Sequence, residues 1–233
     1  MERLLKEDWS PQQIAGRLRR AGRLRICHES IYRHVWRDKQ QGGALHEHLR
    51  GARKQRRKRY RSYDSRGRLA GKRPIAERPA AAHRRSRVGH WEADTLLASG
   101  KPCVVTLVDR KSGFVQIGKL PARTAKALNR RAIQLIRRQP RAVRSVTADN
   151  GTEFHSYARI ERATGTRFYF ATPHHAWERG TSENTNGLLR QYLPKRQSLA
   201  DLTQYDCNAI ARRLNDRPRK RLAYRTPQEC YDP

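Results

Sequence analysis

Residues 88–120 read VGHWEADTLLASGKPCVVTLVDRKSGFVQIGKL. Three apolar runs, His90–Leu97, Cys103–Val108 and Phe114–Leu120, are separated by Ser99-Gly100 and Lys111-Ser112-Gly113, residues that let an extended chain reverse. The spacing predicts a three-stranded meander. Downstream, Ala127, Leu128, Ala132, Leu135 and Ile136 recur at helical spacing over Thr124–Arg138, with Pro140 just beyond. A strand over Val143–Thr147, a helix over Glu153–Ala163 and a strand over Arg167–Phe170 follow. Helices are then expected over about Thr181–Tyr192, stopped by Pro194, and over about Leu202–Leu214. A meander followed by strands alternating with helices predicts an α/β domain around a mixed five-stranded sheet.

Upstream of this domain the composition changes. Residues 50–87 carry 16 Lys or Arg against two acids, with Gly51, Gly67, Gly71, Pro74 and Pro79 scattered among few large apolar side chains. Such a stretch cannot bury a core, and we expect a disordered basic linker over 46–87 that can also lie along phosphates. Before it, Ser10-Pro11-Gln12-Gln13 has the residues of a helix start: a serine cap, proline at the first position and Gln13 at the capping-box position. Ile14 and Leu18 share a face of that helix. After a turn near Ala21-Gly22, Cys27–Trp36 reads as a second helix with Ile31 and Val35 inward and Ser30, Arg33, His34 and Arg37 outward. Residues 1–45 therefore read as a small all-α helix-turn-helix segment, whose second helix either enters a DNA major groove or packs as a plain helical hairpin. Cys27 stands where a capping serine would serve better. The expected division is 1–45, 46–87 and 88–233.

The whole chain carries 52 Lys plus Arg against 21 Asp plus Glu in 233 residues, a formal charge of +31. A polyanion is the expected partner. No run approaches 18 apolar residues and the start lacks the apolar stretch of a signal peptide, so neither a membrane partner nor export is expected, and a cytosolic, nucleoid-associated protein is. Cys27, Cys103, Cys207 and Cys230 lie far apart with no C-x-x-C, which predicts reduced thiols and no zinc site.

Acids are scarce within the α/β domain. Those from Val88 to Leu193 are Glu92, Asp94, Asp109, Asp149, Glu153, Glu161, Glu178 and Glu183. Asp94 lies in the first predicted strand and Asp149 just past the fourth, so the two carboxylates can meet at one sheet edge if those strands are neighbours. Glu183 would approach from a helix. Three hard oxygen donors suit Mg²⁺ or Mn²⁺, ions that can drive in-line phosphoryl transfer. Taken singly, Asp149 could merely shape a turn and Glu183 could merely favour a helix N-terminus. By period two, Glu92 shares the side of Asp94 and could approach the same site. Asp109, before a turn, reads as structural, and Glu153 is ambiguous. Asn186, Gly187 and Arg190 share a face with Glu183, and Arg190 could hold a phosphate or pair with an acid. His174, His175 and Trp177 either contact a splayed DNA end or anchor their loop.

Three segments carry a resemblance: Gly89-His90-Trp91-Glu92-Ala93-Asp94, Asp149-Asn150-Gly151-Thr152-Glu153-Phe154, and Gly180-Thr181-Ser182-Glu183-Asn184-Thr185-Asn186-Gly187-Leu188-Leu189-Arg190. They resemble the acidic motifs of IS30-family transposases, and the 33 residues between Asp149 and Glu183 fit the D,D(35)E pattern shared with retroviral integrases. The likeness continues through Asn215-Asp216-Arg217-Pro218-Arg219-Lys220-Arg221-Leu222 and Thr226-Pro227-Gln228-Glu229 and includes Trp9–Trp36. It implies an RNase H-like fold in which Asp94, Asp149 and Glu183 match the catalytic, metal-binding triad. It also implies cleavage and strand transfer on double-stranded DNA, at transposon ends and target, by a homodimer or higher oligomer without a nucleotide cofactor or a covalent protein intermediate. Family members commonly carry further DNA-binding sequence upstream, so the chain is expected to be N-terminally short. The rival is a non-catalytic DNA-binding relative that represses transposition.

Overall fold

The computed structural model describes residues 1–50, 71–173 and 175–232. In chain order the helices are α1 (Glu2–Lys6), α2 (Pro11–Arg20), α3 (His28–Gln40), α4 (Ala80–Arg84), α5 (Ala125–Arg137), α6 (Tyr157–Thr164), α7 (Gly180–Leu189), α8 (Gln204–Asn215) and α9 (Pro227–Tyr231). The strands are β1 (His90–Leu97), β2 (Cys103–Asp109), β3 (Val115–Leu120), β4 (Ser145–Ala148) and β5 (Arg167–Phe170). Among the described residues, 1–50 with 215–232 form one compact unit and 71–214 another. No helix among them is long and apolar enough to cross a membrane.

In the larger unit the sheet order is β3-β2-β1-β4-β5, with β1 antiparallel to β2, β2 antiparallel to β3, and the β1/β4 and β4/β5 pairs parallel. This is the mixed five-stranded α/β sheet that the apolar runs predict. Alternation along β1 sends Trp91, Ala93 and Thr95 to one face and Glu92, Asp94 and Leu96 to the other. On the second face Leu96, Val104, Val108, Val115 and Ile117 pack with Leu188 and Leu189 of α7 and with Cys207, Ala211 and Leu214 of α8. On the first, α5 lies so close over β3 that a Cβ at Gly118 would come within 2.4 Å of Arg131. Two boundaries differ from expectation. The segment 152–154 is a 3₁₀ turn and α6 starts only at Tyr157, because buried Glu153 is bonded inward, and α7 ends at Leu189.

Part of the expected linker is folded. Ile75 and Ala82 are buried, the Phe170 N–H donates to the Arg73 carbonyl at 2.9 Å, and Pro74 bridges to Phe170 in parallel, so the chain near Arg73 extends the sheet beyond β5. Composition conceals this, since a few apolar contacts and one backbone bond suffice to dock a polar segment on a sheet edge. The most basic part, 51–70, lies outside the described residues.

The smaller unit is built around Leu5, Ile14, Ile31, Val35 and Leu45. The expected capping box forms: the Gln13 N–H donates to Ser10 Oγ and the Ser10 N–H to Gln13 Oε1. Cys27 caps nothing with its side chain. Residues 215–232, expected in the catalytic domain, fold here instead. Thr226 and Glu229 form a second capping box on α9, and the Glu229 carboxylate accepts both Arg17 terminal nitrogens, which holds it below the ordinary carboxylate range. Arg217, 2% exposed, lies 3.4 Å from Asp8, and Gln13 donates to the Pro218 carbonyl. Periodicity identifies such a tail as helical but not the surface that receives it.

Gly16 shows how closely the tail docks. A Cβ there would sit 2.2 Å from the Tyr224 ring. Gly→Ala inside a helix ordinarily gains about 1 kcal/mol, but here overpacking of about 1–3 kcal/mol opposes it. Gly16→Ala is therefore expected to lower the melting temperature of the full chain and to raise it in a Tyr224→Ala background. A higher melting temperature for Gly16→Ala alone would disprove the close docking.

Candidate active site

The β1/β4 register pairs Glu92 with Thr147, so two residues further on Asp94, in β1, and Asp149, just past β4, come together at the carboxyl end of the pair. Asp94 accepts the Thr95 N–H at 2.9 Å and Nδ2 of Asn186, from α7, at 2.8 Å. Asp149 accepts the Gly151 N–H at 2.9 Å, which folds the chain into a tight turn. Arg179, in the 3₁₀ turn before α7, spans the two: Nη1 lies 3.6 Å from Asp94 Oδ1 and Nη2 3.6 Å from Asp149 Oδ2. Burial pushes the Asp94 carboxyl above its ordinary value, the Arg179 charge opposes this, and the Asp149 charge adds to it. Arg179 thus lies between a half-buried acid and its neighbour.

Glu183 is exposed in the first turn of α7, one turn before Asn186. The structure brings Asp94 and Asp149 together and leaves Glu183 apart from them. Among the described residues no three His, Cys, Asp or Glu side chains converge closely enough to hold a metal.

No protein-family model matches the chain. Over 230 residues, 98% of its length, it is 40% identical to the transposase for insertion sequence element IS4351 of Bacteroides fragilis and covers 71% of that protein. It is 37% identical over 240 residues to transposase InsI for IS30A of Escherichia coli K12, spanning 62% of its length, and 40% identical to the IS1086 transposase of Cupriavidus metallidurans, spanning 68%. The chain belongs to the IS30 family of transposases. In fold it is similar to a chain of the simian T-cell lymphotropic virus intasome, with a TM-score of 0.50 at 16% identity over 62% of this chain and 54% of that one. The RNase H-like, integrase-type architecture expected from the motifs is thus present.

Around the two aspartates, this family member places its other acids in supporting positions. Glu92 is fully buried, ion-paired with Arg110, and accepts the Ser182 N–H at 2.7 Å, so it holds the N-terminal turn of α7 rather than joining Asp94. Arg110 also donates to the Ala82 carbonyl. Arg78, likewise buried, donates to Thr147, and burial together with the Arg110 charge lowers its pKa to about 10, against the pull of Glu92. Asp109 is structural, as expected, accepting Gly89 N–H and both the N–H and hydroxyl of Ser112. Glu153 accepts the Thr95 hydroxyl at 2.6 Å and lies 2.8 Å from Arg123 Nε. Burial pushes its carboxyl up, but hydrogen bonds from Arg123 and Thr95 outweigh that and hold it below the ordinary range. A Cβ at Gly151 would meet Glu153 Oε2 at 2.5 Å and Asp149 Oδ1 at 2.9 Å, so this turn needs glycine for space.

The expected DNA contacts divide. Ser30, Arg33 and Arg37 are exposed on α3. His34 is instead tied to Glu2 of α1 at 2.9 Å. Arg190 donates to the carbonyls of Leu97 at 2.8 Å and Leu193 at 3.2 Å, so its guanidinium satisfies backbone at the end of α7 and burial lowers its pKa. Trp177 is 71% exposed and stacks on His175 with centroids 4.4 Å apart, so it does not anchor its loop. His174 lies outside the described residues. Arg179 was missed in the sequence. Its one signal was a basic residue immediately before the third acidic motif.

Proposed function

We propose that the chain cuts and joins DNA strands at the ends of its insertion element through metal-dependent hydrolysis and transesterification, with Asp94, Asp149 and Glu183 as catalytic metal ligands. The observation that carries this reading is Asp94 on β1 and Asp149 just past the parallel β4 standing on either side of Arg179. The two aspartates are hard oxygen donors of the kind a divalent ion takes, and its charge would favour the ionised Asp94 that burial and Asp149 disfavour. Arg179 occupies the cationic position between them. Glu183 would complete the set from α7, the helix that already touches Asp94 through Asn186. Mg²⁺ or Mn²⁺ bound there supplies Lewis-acid polarisation of the scissile phosphodiester. The chain's own groups do the positioning: Asn186 orients the Asp94 carboxylate, Gly151 shapes the Asp149 turn, and Glu92 fixes the start of α7. Ser30, Arg33 and Arg37 on α3 face double-stranded DNA, and the excess positive charge holds its backbone. Joining two ends calls for a homodimer or higher oligomer.

Labelled DNA carrying the element's own terminal repeats, given as two distinguishable ends, tests this. With Mg²⁺ or Mn²⁺, nicked strands and products joining both ends are expected, and with EDTA none. Salt-sensitive binding with no nick under any metal would overturn the reading and mark the chain as a non-catalytic relative.

A further inference from the structure

Lys72 stands beside the Asp149 turn and is part of no acidic motif. Its Nζ donates to Oδ1 of Asn150, the residue after Asp149, at 2.8 Å. Asn150 in turn donates through Nδ2 to the Ala171 carbonyl at 2.9 Å, so the ammonium is tied to a braced turn. The same Nζ lies 4.5 Å from the Phe170 ring centroid.

The backbone that delivers Lys72 is held on several sides. Phe170 N–H donates to the Arg73 carbonyl, and Pro74 bridges to Phe170. Arg73 pairs with Glu161, whose carboxylate also accepts the Phe168 N–H at 2.7 Å, and the Tyr157 hydroxyl donates to the Gly71 carbonyl at 3.1 Å. A lysine on so constrained a segment pays little additional ordering cost on meeting a ligand.

Its donors are not used up. A lysine ammonium has three N–H groups, and among the described residues Lys72 uses one, on Asn150. Burial lowers its pKa and the nearby Asp149 charge opposes that. The sequence leading into it, 50–70, carries ten Lys or Arg and one acid.

We propose that Lys72 is a DNA-contacting residue of the active site, whose ammonium holds a backbone phosphate of the strand being cut against the Asp149 turn. A compact point charge suits a phosphate oxygen rather than a base edge. The inference rests on the proposed DNA-cleaving function and adds a site residue outside the acidic motifs.

The test combines variants of the full chain with end DNA in which single phosphates near the cut are replaced by neutral methylphosphonates. Lys72→Ala should slow single-turnover cleavage about ten- to a hundredfold, the range expected for losing one charged hydrogen bond, and Lys72→Arg should recover part of it. At one phosphate position the methylphosphonate should slow wild type similarly and Lys72→Ala no further, while at other positions the two losses multiply. Lys72→Gln, which keeps a donor for Asn150 without the charge, should behave like Lys72→Ala, and both should melt near wild type. A wild-type cleavage rate for Lys72→Ala, or losses that multiply at every position, would overturn the contact. If wild type itself does not cleave, the functional reading fails, and the same scan read as binding affinity still decides on Lys72.

Discussion

Asp94→Asn and Asp149→Asn are each expected to slow strand cleavage by about a hundred- to a thousandfold, the scale on which losing a group that stabilises transition-state charge acts, while binding of end DNA keeps its salt dependence. The accompanying change in stability separates a catalytic acid from a structural one. Burial, reinforced by Asp149, raises the Asp94 carboxyl above its ordinary value. An acid raised in the folded state contributes stability below its unfolded value and loses that contribution as pH rises through the folded one. At neutral pH, ionised Asp94 therefore weighs against folding, and Asp94→Asn should melt at or above the wild-type temperature when no metal is present. Added Mn²⁺ should raise the melting temperature of wild type but much less that of Asp94→Asn, since ligands that bind only the folded state stabilise it. Glu183→Gln should lose cleavage to the same degree with little change in melting, because that side chain is exposed. Cleavage near the wild-type rate in any of these variants would remove that residue from the catalytic set.

Glu92→Gln is expected to produce the largest loss of stability. Glu92 is fully buried and is the counter-ion of Arg110, and its charge also supports buried Arg78. Neutralising it takes from Arg110 its ion-pair partner and from Arg78 the largest of its favourable charges, leaving only the weaker influence of Asp109 and Glu178, and removing one partner of a buried pair costs about 3–5 kcal/mol. The Ser182 N–H would also exchange a charged acceptor for a neutral one. A loss of that size should lower the melting temperature by about 6–20 °C in a chain of this length. Replacing Glu92 and Arg110 together by methionine should restore part of it, because Arg110 is then no longer left without its partner and its repulsion of Arg78 is removed with it. An unchanged melting curve for Glu92→Gln would show that the pair contributes nothing. Cleavage by this variant should fall as well, since Glu92 sets where α7, with Asn186 and Glu183, begins.

The difference between Glu92 and Asp94 also marks how far residue patterns reach. Alternation along β1 puts both acids on one face, and that much is visible in GHWEAD itself. Which of them meets Asp149 depends on β4 arriving parallel to β1 with Thr147 opposite Glu92, a pairing across more than fifty residues. The same holds for Arg190, which the helical period places on the face of Asn186 but which donates to the Leu97 and Leu193 carbonyls, and for His34, outward by period yet held by Glu2. Arg179 and Lys72 lie in stretches without periodicity, so nothing local distinguishes them from the many other basic residues.

What the sequence determined by itself was therefore the local and the repeated: the strand runs of 88–120, the amphipathic period of α5, the Ser10 capping box, the poor cap at Cys27, and the ordered acidic motifs. These follow from backbone preferences and side-chain periodicity within a few residues of one another. Tertiary structure alone decided the partner of each charge, the docking of Lys72 beside Asn150, the gathering of 215–232 onto Gly16 and Arg17, and the sharing of Arg179 by two aspartates. A long charged side chain has no intrinsic partner. It takes the one that strand register and helix packing bring within reach, and those are properties of the whole folded chain.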